Sequence, residues 1–452
     1  MLSAYTNCMK IPELRQRILF TLGIVALCRL AGNIPVPGVD PHELEGLFKA
    51  MENSSGGGIL NMFNMFSGGA LQKFAVAALG IMPYISASIV IQLMTPVIPQ
   101  LGKLMREGDS GRQKISQYTR YLTVLICIIQ GSMLAKTMAN PEMLGLPSGY
   151  HPVIHPGVAF NLSTTLIVMT GTVFLMWLGE QITARGVGNG ASMIITIGII
   201  DRLPSALGGM ISLVRAGGSS NMQSSFTIIH LLILLAMFFF ICAATVALTQ
   251  GHRKVPVKYA RNTMGKGVVA GQTSYMPLRV NYSGVMPLIF ASAVLMFPPM
   301  VLGMIPATRS WVQLFTYGGI WYMASYGVLI LLFSFFWVAN QFNPIQIADD
   351  LQKHGAFVPG VRPGQPTADY LDHSMTRITF AGAIFLTALA IFPMILSNQF
   401  NLPPMIASFF GGTTLLITVG VMLDTMRQIE AFLLSYHYDG FLSKGHLRSR
   451  RN

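Results

Sequence analysis

Ten runs of about twenty predominantly apolar residues, each as long as one helical crossing of a bilayer, leave this chain few possible folds. They lie near 18–36, 74–97, 117–137, 159–181, 190–213, 227–249, 284–306, 317–339, 376–397 and 408–430. Hydrocarbon offers no partner to a backbone N–H or C=O, so each run is expected to satisfy its own backbone as a helix. Of the 452 residues, 52% are hydrophobic and only 10% are charged, where soluble chains carry about a quarter. An ordinary soluble domain is excluded, and an all-α polytopic membrane protein with ten transmembrane helices is predicted.

An even number of crossings puts both termini on one side, and the basic residues say which. The segments on that side hold 23 of the 30 Lys and Arg, which account for most of the formal charge of +13. The other side has only Arg29, Lys49, Lys73, Lys136, Arg202, Arg215 and Arg309, and its first loop carries Asp40, Glu43, Glu45 and Glu52. The positive-inside rule therefore predicts cytoplasmic termini. Topology is the default account of the basic excess; anionic lipid or an acidic partner are the alternatives. Cys8, Cys28, Cys127 and Cys242 are dispersed and suggest neither a disulfide framework nor a metal site. No cleavable signal peptide is expected, since the first run follows Arg17 and leads into Ile34-Pro35-Val36-Pro37.

Five runs precede the polar stretch Gly217–Ser225 and five follow it. An odd number per half gives the halves, 1–215 and 216–452, opposite orientations, the layout of an inverted repeat. Two cytoplasmic loops exceed mere connectors, which rarely pass about 15 residues. The first, about 250–281, holds six basic residues and no acidic one; the second, about 340–376, contains the turn-rich Gly355–Gly364 around Arg362. Docking of a cytoplasmic partner is expected there, with anionic lipid as the simpler use of the basic charge.

The stretch Gly56–Met94 stands apart. Glycines at 56–58 and at 68–69 bracket the short apolar run Ile59–Phe66, which is too short to cross and is expected to be separately hinged. A half-length helix leading into the full span 74–97 is a pattern of channels and transporters. Coupled transporters keep ionisable groups at mid-span, yet Glu180, Asp424 and Glu430 fall at or toward span ends, and Asp201 is followed by Arg202 and Pro204. A pore powered from outside fits better than an inverted-repeat secondary transporter of a small solute, which is the alternative. His151 and His155 are separated by Pro152 and flanked by glycine, so a helical metal pair is not expected. No phosphate loop, dinucleotide fingerprint or convergent nucleophile and base is present, so neither a cofactor nor enzymatic activity is expected.

Several longer motifs carry a resemblance. Asn64-Met65-Phe66-Ser67-Gly68-Gly69-Ala70, Gly80-Ile81-Met82-Pro83-Tyr84-Ile85-Ser86-Ala87-Ser88 and Gly179-Glu180-Gln181-Ile182-Thr183 resemble the SecY family, central subunits of the bacterial protein-conducting channel. So do Gly188-Asn189-Gly190, Gly355-Ala356-Phe357-Val358-Pro359-Gly360 with Arg362-Pro363-Gly364, and Met375-Thr376-Arg377. The likeness runs from about Pro35 to about Tyr438. It implies two inverted five-helix halves around a central pore and a short plug helix, about 56–70, with Ile59, Leu60, Met62, Phe63, Met65 and Phe66 as its apolar residues.

The resemblance further implies a hydrophobic pore ring of Ile81, Ile85, Ala191, Ile195, Ile289 and Ile417, which would seal by dewetting. Ala191 is smaller than the family's usual aliphatic, so either the ring is wider there or Met193 or Ile194 compensates. A lateral gate is implied between the second and third spans and the seventh and eighth, marked by Ser86 and Phe297. Arg253, Lys254, Arg261 and Arg362 are implied in docking the SecA ATPase or the ribosome. Further implied partners are SecE-like and SecG-like small membrane subunits, signal sequences of secretory and membrane proteins, and lipid. The expected setting is the bacterial plasma membrane, and the expected function is translocation of unfolded polypeptides and lateral release of membrane proteins.

Overall fold

The computed structural model describes residues 11–52, 64, 66–140, 152–216, 228–259, 273–304, 319–399 and 413–444. All ten apolar runs carry helix: α1 (Pro12–Ala31), α3 (Met82–Val97), α5 (Asp109–Ala139), α6 (Val158–Arg185), α7 (Gly190–Asp201) with α8 (Leu203–Ala216), α9 (Ile228–Gln250), α10 (Met286–Met304), α11 (Ile320–Gln341), α13 (Gln365–Gln399) and α14 (Thr413–Lys444). Shorter helices are α2 (Pro41–Glu52), α4 (Pro99–Arg106) and α12 (Pro344–Lys353). Among the described residues six helices are long and apolar enough to cross a bilayer alone. The bent pair α3–α4, turned through 103° at Ile98, makes a seventh when taken as one span. The chain is thus a multi-span membrane protein.

The second run departs from expectation. Helix was predicted from Phe74, but residues 67–81 run through turns and α3 begins only at Met82. Gly68, Gly69 and Gly80 take positive φ of 64°, 87° and 59°, a region that L side chains avoid, and Pro83 suits the first turn of a helix because it lacks the N–H. Such irregular backbone is tolerable at this depth only when protein covers it. It is covered: Leu71, Phe74, Ala75, Ala78 and Leu79 are all buried. Phe74, Ala78 and Leu79 pack with Leu44, Leu47 and Phe48 of α2, so the loop after α1 is a docked amphipathic helix.

The fifth run is broken as well. α7 ends at Asp201, Arg202 forms a turn, and α8 starts at Leu203. At its other end the α6–α7 turn is fastened to distant helices: Val187 N–H donates to Thr21 Oγ1 at 3.2 Å and Gly188 N–H to Gln428 Oε1 at 3.0 Å. Asn189 caps α7 by accepting from the Ser192 N–H.

A second addition lies outside the bundle. The long basic loop is not irregular; β1 (His252–Tyr259) and β2 (Thr273–Arg279) form an antiparallel hairpin, to which β3 (Ala356–Phe357) adds on the other edge of β1. Alternation along β1 buries Val255 and Val257 and leaves Lys254, Pro256 and Lys258 exposed. Val255 and Leu278 pack with Val338, Phe342, Val358, Leu371 and Met375, seating the sheet on the ends of α11 and α13.

Candidate functional site

The apolar centre of the bundle is a single buried cluster supplied by helices from both ends of the sequence. Ile81 closes the turns before α3, and Ile85 follows one turn later, its N–H donating to the Ile81 carbonyl at 3.2 Å. Ile195 comes from α7, Ile289 from α10 and Ile417 from α14. All five are buried, Ile195 and Ile417 completely, and all belong to the same cluster. At Gly179 of α6 a side chain would not fit freely. A Cβ there would lie 3.4 Å from Ile81 Cδ1 and 3.3 Å from Ile194 Cδ1, so α6 runs close against both isoleucines at this point.

Ala191 is only partly buried, at the edge of the cluster, and lines a cavity of about 470 Å³. Of the two neighbours considered as compensation, Ile194 is buried in the cluster; Met193 packs at its margin and accepts a hydrogen bond from Thr425 Oγ1 at 3.5 Å. Filling the gap with Ala191→Ile is expected to lower resting ion conductance two- to threefold, read in planar bilayers without substrate. The added methylenes enter open volume, so the overpacking cost of about 1–3 kcal/mol does not apply.

Ile59, Leu60, Met62, Phe63 and Met65 lie outside the described residues. Phe66 is described: it is buried and joins the cluster of Ile81, Ile195 and Ile289. The stem that follows it is held by polar groups, to which the sequence alone assigned no role. Arg202 donates to Asn64 Oδ1 at 2.9 Å and to Gln72 Oε1 at 3.1 Å, and Gln72 N–H donates to Asn64 Oδ1 at 3.0 Å. Arg29 reaches the Gly68 carbonyl at 3.4 Å and Asp201 Oδ2 at 3.3 Å. A Cβ on Gly68 would lie 2.4 Å from Arg29 Nη1, and one on Gly69 would lie 2.5 Å from Arg202 Nη2. The two glycines therefore let backbone pack directly on two guanidinium groups. Gly198 seats the same stem, 3.4 Å from the Phe66 carbonyl by the same measure. The available sequence signal was two arginines inside apolar runs.

Asp201, the one mid-span carboxylate weighed for coupled transport, is half exposed, paired with Arg29, and placed where the span breaks. It is not a buried coupling group. Ser86 is buried in α3, which packs against α10; Phe297 lies within α10. Arg253 and Lys254 are exposed on β1, Arg362 is exposed two residues beyond Gly360 (φ 87°), and Arg261 lies outside the described residues. The Arg362 carbonyl accepts from Thr367 Oγ1 at 2.7 Å, which fastens that loop to the start of α13. Among the described residues no group of three or more His, Cys, Asp or Glu could hold a metal ion.

Residues 75–426 match the SecY family model. The protein translocase subunit SecY of Chlamydia muridarum is 42% identical over 456 residues, covering 98% of each chain. That of Escherichia coli K12 is 42% identical over 446 residues, covering 96% of this chain and 95% of the relative. In shape, a solved structure described as that of a protein conducting channel superposes with a TM-score of 0.61 at 16% identity, covering 94% of this chain and 96% of that one. With a family match across most of its length and relatives aligned nearly end to end, this chain belongs to the SecY family.

Proposed function

We propose that the chain is the central subunit of a protein-conducting channel, passing unfolded secretory polypeptides across the membrane and releasing apolar segments sideways into lipid. One observation carries this reading: Ile81 at the N-cap of α3 and Ile85, Ile195, Ile289 and Ile417 from α3, α7, α10 and α14 meet in one buried apolar cluster beside Phe66. A constriction built only of aliphatic groups excludes ions and water by dewetting, and it yields to a chain pushed through because no hydrogen bond or ion pair has to break. No small solute is recognised by such a surface.

The two inverted halves are 1–215 and 216–452, and Phe66, buried against the ring, belongs to the plug that closes it. The gate lies between α3 and α10, with Ser86 and Phe297 on its two sides. The termini and the β1–β2 sheet face the cytoplasm of a bacterium, the membrane being its plasma membrane; the concentration of Lys and Arg on those segments supports this. The sheet turns Arg253 and Lys254 outward, and Arg362 projects from a glycine- and proline-stiffened loop, a surface suited to SecA or to the polyanionic ribosome. SecE-like and SecG-like subunits complete the complex. The driving energy comes from the partner that docks.

The test is reconstitution in proteoliposomes with those subunits and the ATPase. A signal-bearing polypeptide is expected to become protected from added protease, while a small-solute uptake assay stays flat. Arg362→Glu is expected to slow protection about tenfold or more without changing the amount of folded channel. Unchanged protection kinetics would remove Arg362 from docking, and no protection with the wild-type chain would remove the channel reading.

A further inference from the structure

At the end of α7 opposite the Phe66 stem, the cavity beside Ala191 is also bordered by Tyr84, Ser116, Arg120, Glu180 and Asn189. Of all its lining residues only two carry a formal charge, Arg120 of α5 and Glu180 of α6. They face each other. Arg120 Nε donates to Glu180 Oε1 at 2.9 Å and Nη2 donates to Oε2 at 2.7 Å, a two-pronged pairing in which each charge is spent on the other. The pair is not sealed off, since the side chains remain 47% and 21% exposed. Anything occupying the cavity meets it one step from the ring.

A staple between α5 and α6 would explain the short distances but not the position. Those helices are already in close contact along their length, as where Gly131 of α5 lies against Thr165 of α6. The neighbouring cavity across Asn189 is different in kind. It holds Arg279, Asp424 and Arg427, and its one ion pair, Asp424–Arg427, stretches to 3.9 Å.

We propose that Arg120 and Glu180 determine the channel's charge specificity: paired, they cancel, so basic and acidic stretches of a crossing polypeptide enter the ring alike. This rests on the channel reading. Removing one member leaves a lone, uncancelled charge on the wall of this cavity, beside Ala191, where a crossing segment would pass it closely enough for its sign to be felt. A lone Arg120 would hinder Lys- and Arg-rich segments; a lone Glu180 would hinder Asp- and Glu-rich ones.

The experiment uses the reconstituted complex and one signal-bearing polypeptide in two versions, with a central segment of lysines or of glutamates. The quantity read is the ratio of their transit rates. Glu180→Gln is expected to lower the lysine-to-glutamate ratio about tenfold, and Arg120→Gln to raise it by a similar factor. The double Gln variant and the exchanged pair, Arg120→Glu with Glu180→Arg, are expected to keep the wild-type ratio, a changed ratio in either counting against cancellation; if one single variant assembles poorly, the opposite single variant carries the test. Single variants that slow or spare both versions equally would reduce the pair to a helix staple. Failure of both versions to cross with the wild-type chain would overturn the channel reading instead.

Discussion

Gly190→Ala is expected to leave little folded channel. A Cβ at this position would lie 1.8 Å from the Gly179 carbonyl oxygen and 2.6 Å from its carbon, both backbone atoms of α6. A flexible side chain could turn aside, but backbone can yield only if the helices part. Parting them would break the hydrogen bond from Gly190 N–H to Thr183 Oγ1, now 2.9 Å, and draw Ala191 and Ile195 away from the cluster. Ordinary overpacking costs about 1–3 kcal/mol; a clash between two backbones belongs at or above the upper end, a large share of a total stability of about 5–15 kcal/mol. The measurement is the thermal midpoint and the monodisperse fraction in detergent. Gly208→Ala is the control, since nothing lies within 4 Å of its would-be Cβ and alanine favours helix by about 1 kcal/mol. A Gly190→Ala protein that melts with the wild type would show that this close crossing is not what joins α6 to α7.

Ile195→Asn is expected to raise resting ion conductance tenfold or more in planar bilayers without substrate. Ile195 has no exposed surface and sits among the other ring residues. The substitution removes an isoleucine whose burial is worth about 1.5–3 kcal/mol. It also leaves an amide whose unsatisfied burial costs about 1–3 kcal/mol. Both terms act against the dry, closed arrangement, whereas a wetted ring solvates the amide. A difference of about 1.4 kcal/mol already shifts the population tenfold. Ile195→Val keeps the ring apolar and is expected to change conductance less than threefold. An Ile195→Asn channel as tight as the wild type would show that the seal lies elsewhere.

The sequence made some of this legible through one-dimensional signals. Among the described residues, apolar runs of crossing length located each of the helices long enough to span, because a bilayer imposes a minimum length on any segment that satisfies its own backbone. The i, i+4 pairs Ile81/Ile85 and Ala191/Ile195 share helix faces by geometry, although only the family resemblance singled them out from dozens of similar isoleucines. The start of α3 was misplaced because Phe74–Ile81 is apolar enough for helix; the left-handed glycines and the packing of Phe74 against α2 decide otherwise. The strands β1 and β2 were hidden in a basic loop, where the alternation of Val255 and Val257 with polar neighbours is only a few residues long.

What the sequence determined by itself was the number of apolar runs of crossing length and the division of Lys and Arg between alternate loops. Each is a property of composition along a line. Tertiary structure alone decided that five isoleucines separated by up to 336 positions form one dry cluster. It also decided that Arg29 and Arg202 grip the glycine stem behind Phe66, and that Arg120 finds Glu180 sixty residues away. Those arrangements depend on how close backbone can come to its neighbours, and Gly190, pressed on the Gly179 backbone, sets that distance between α6 and α7 only once its partner is in place.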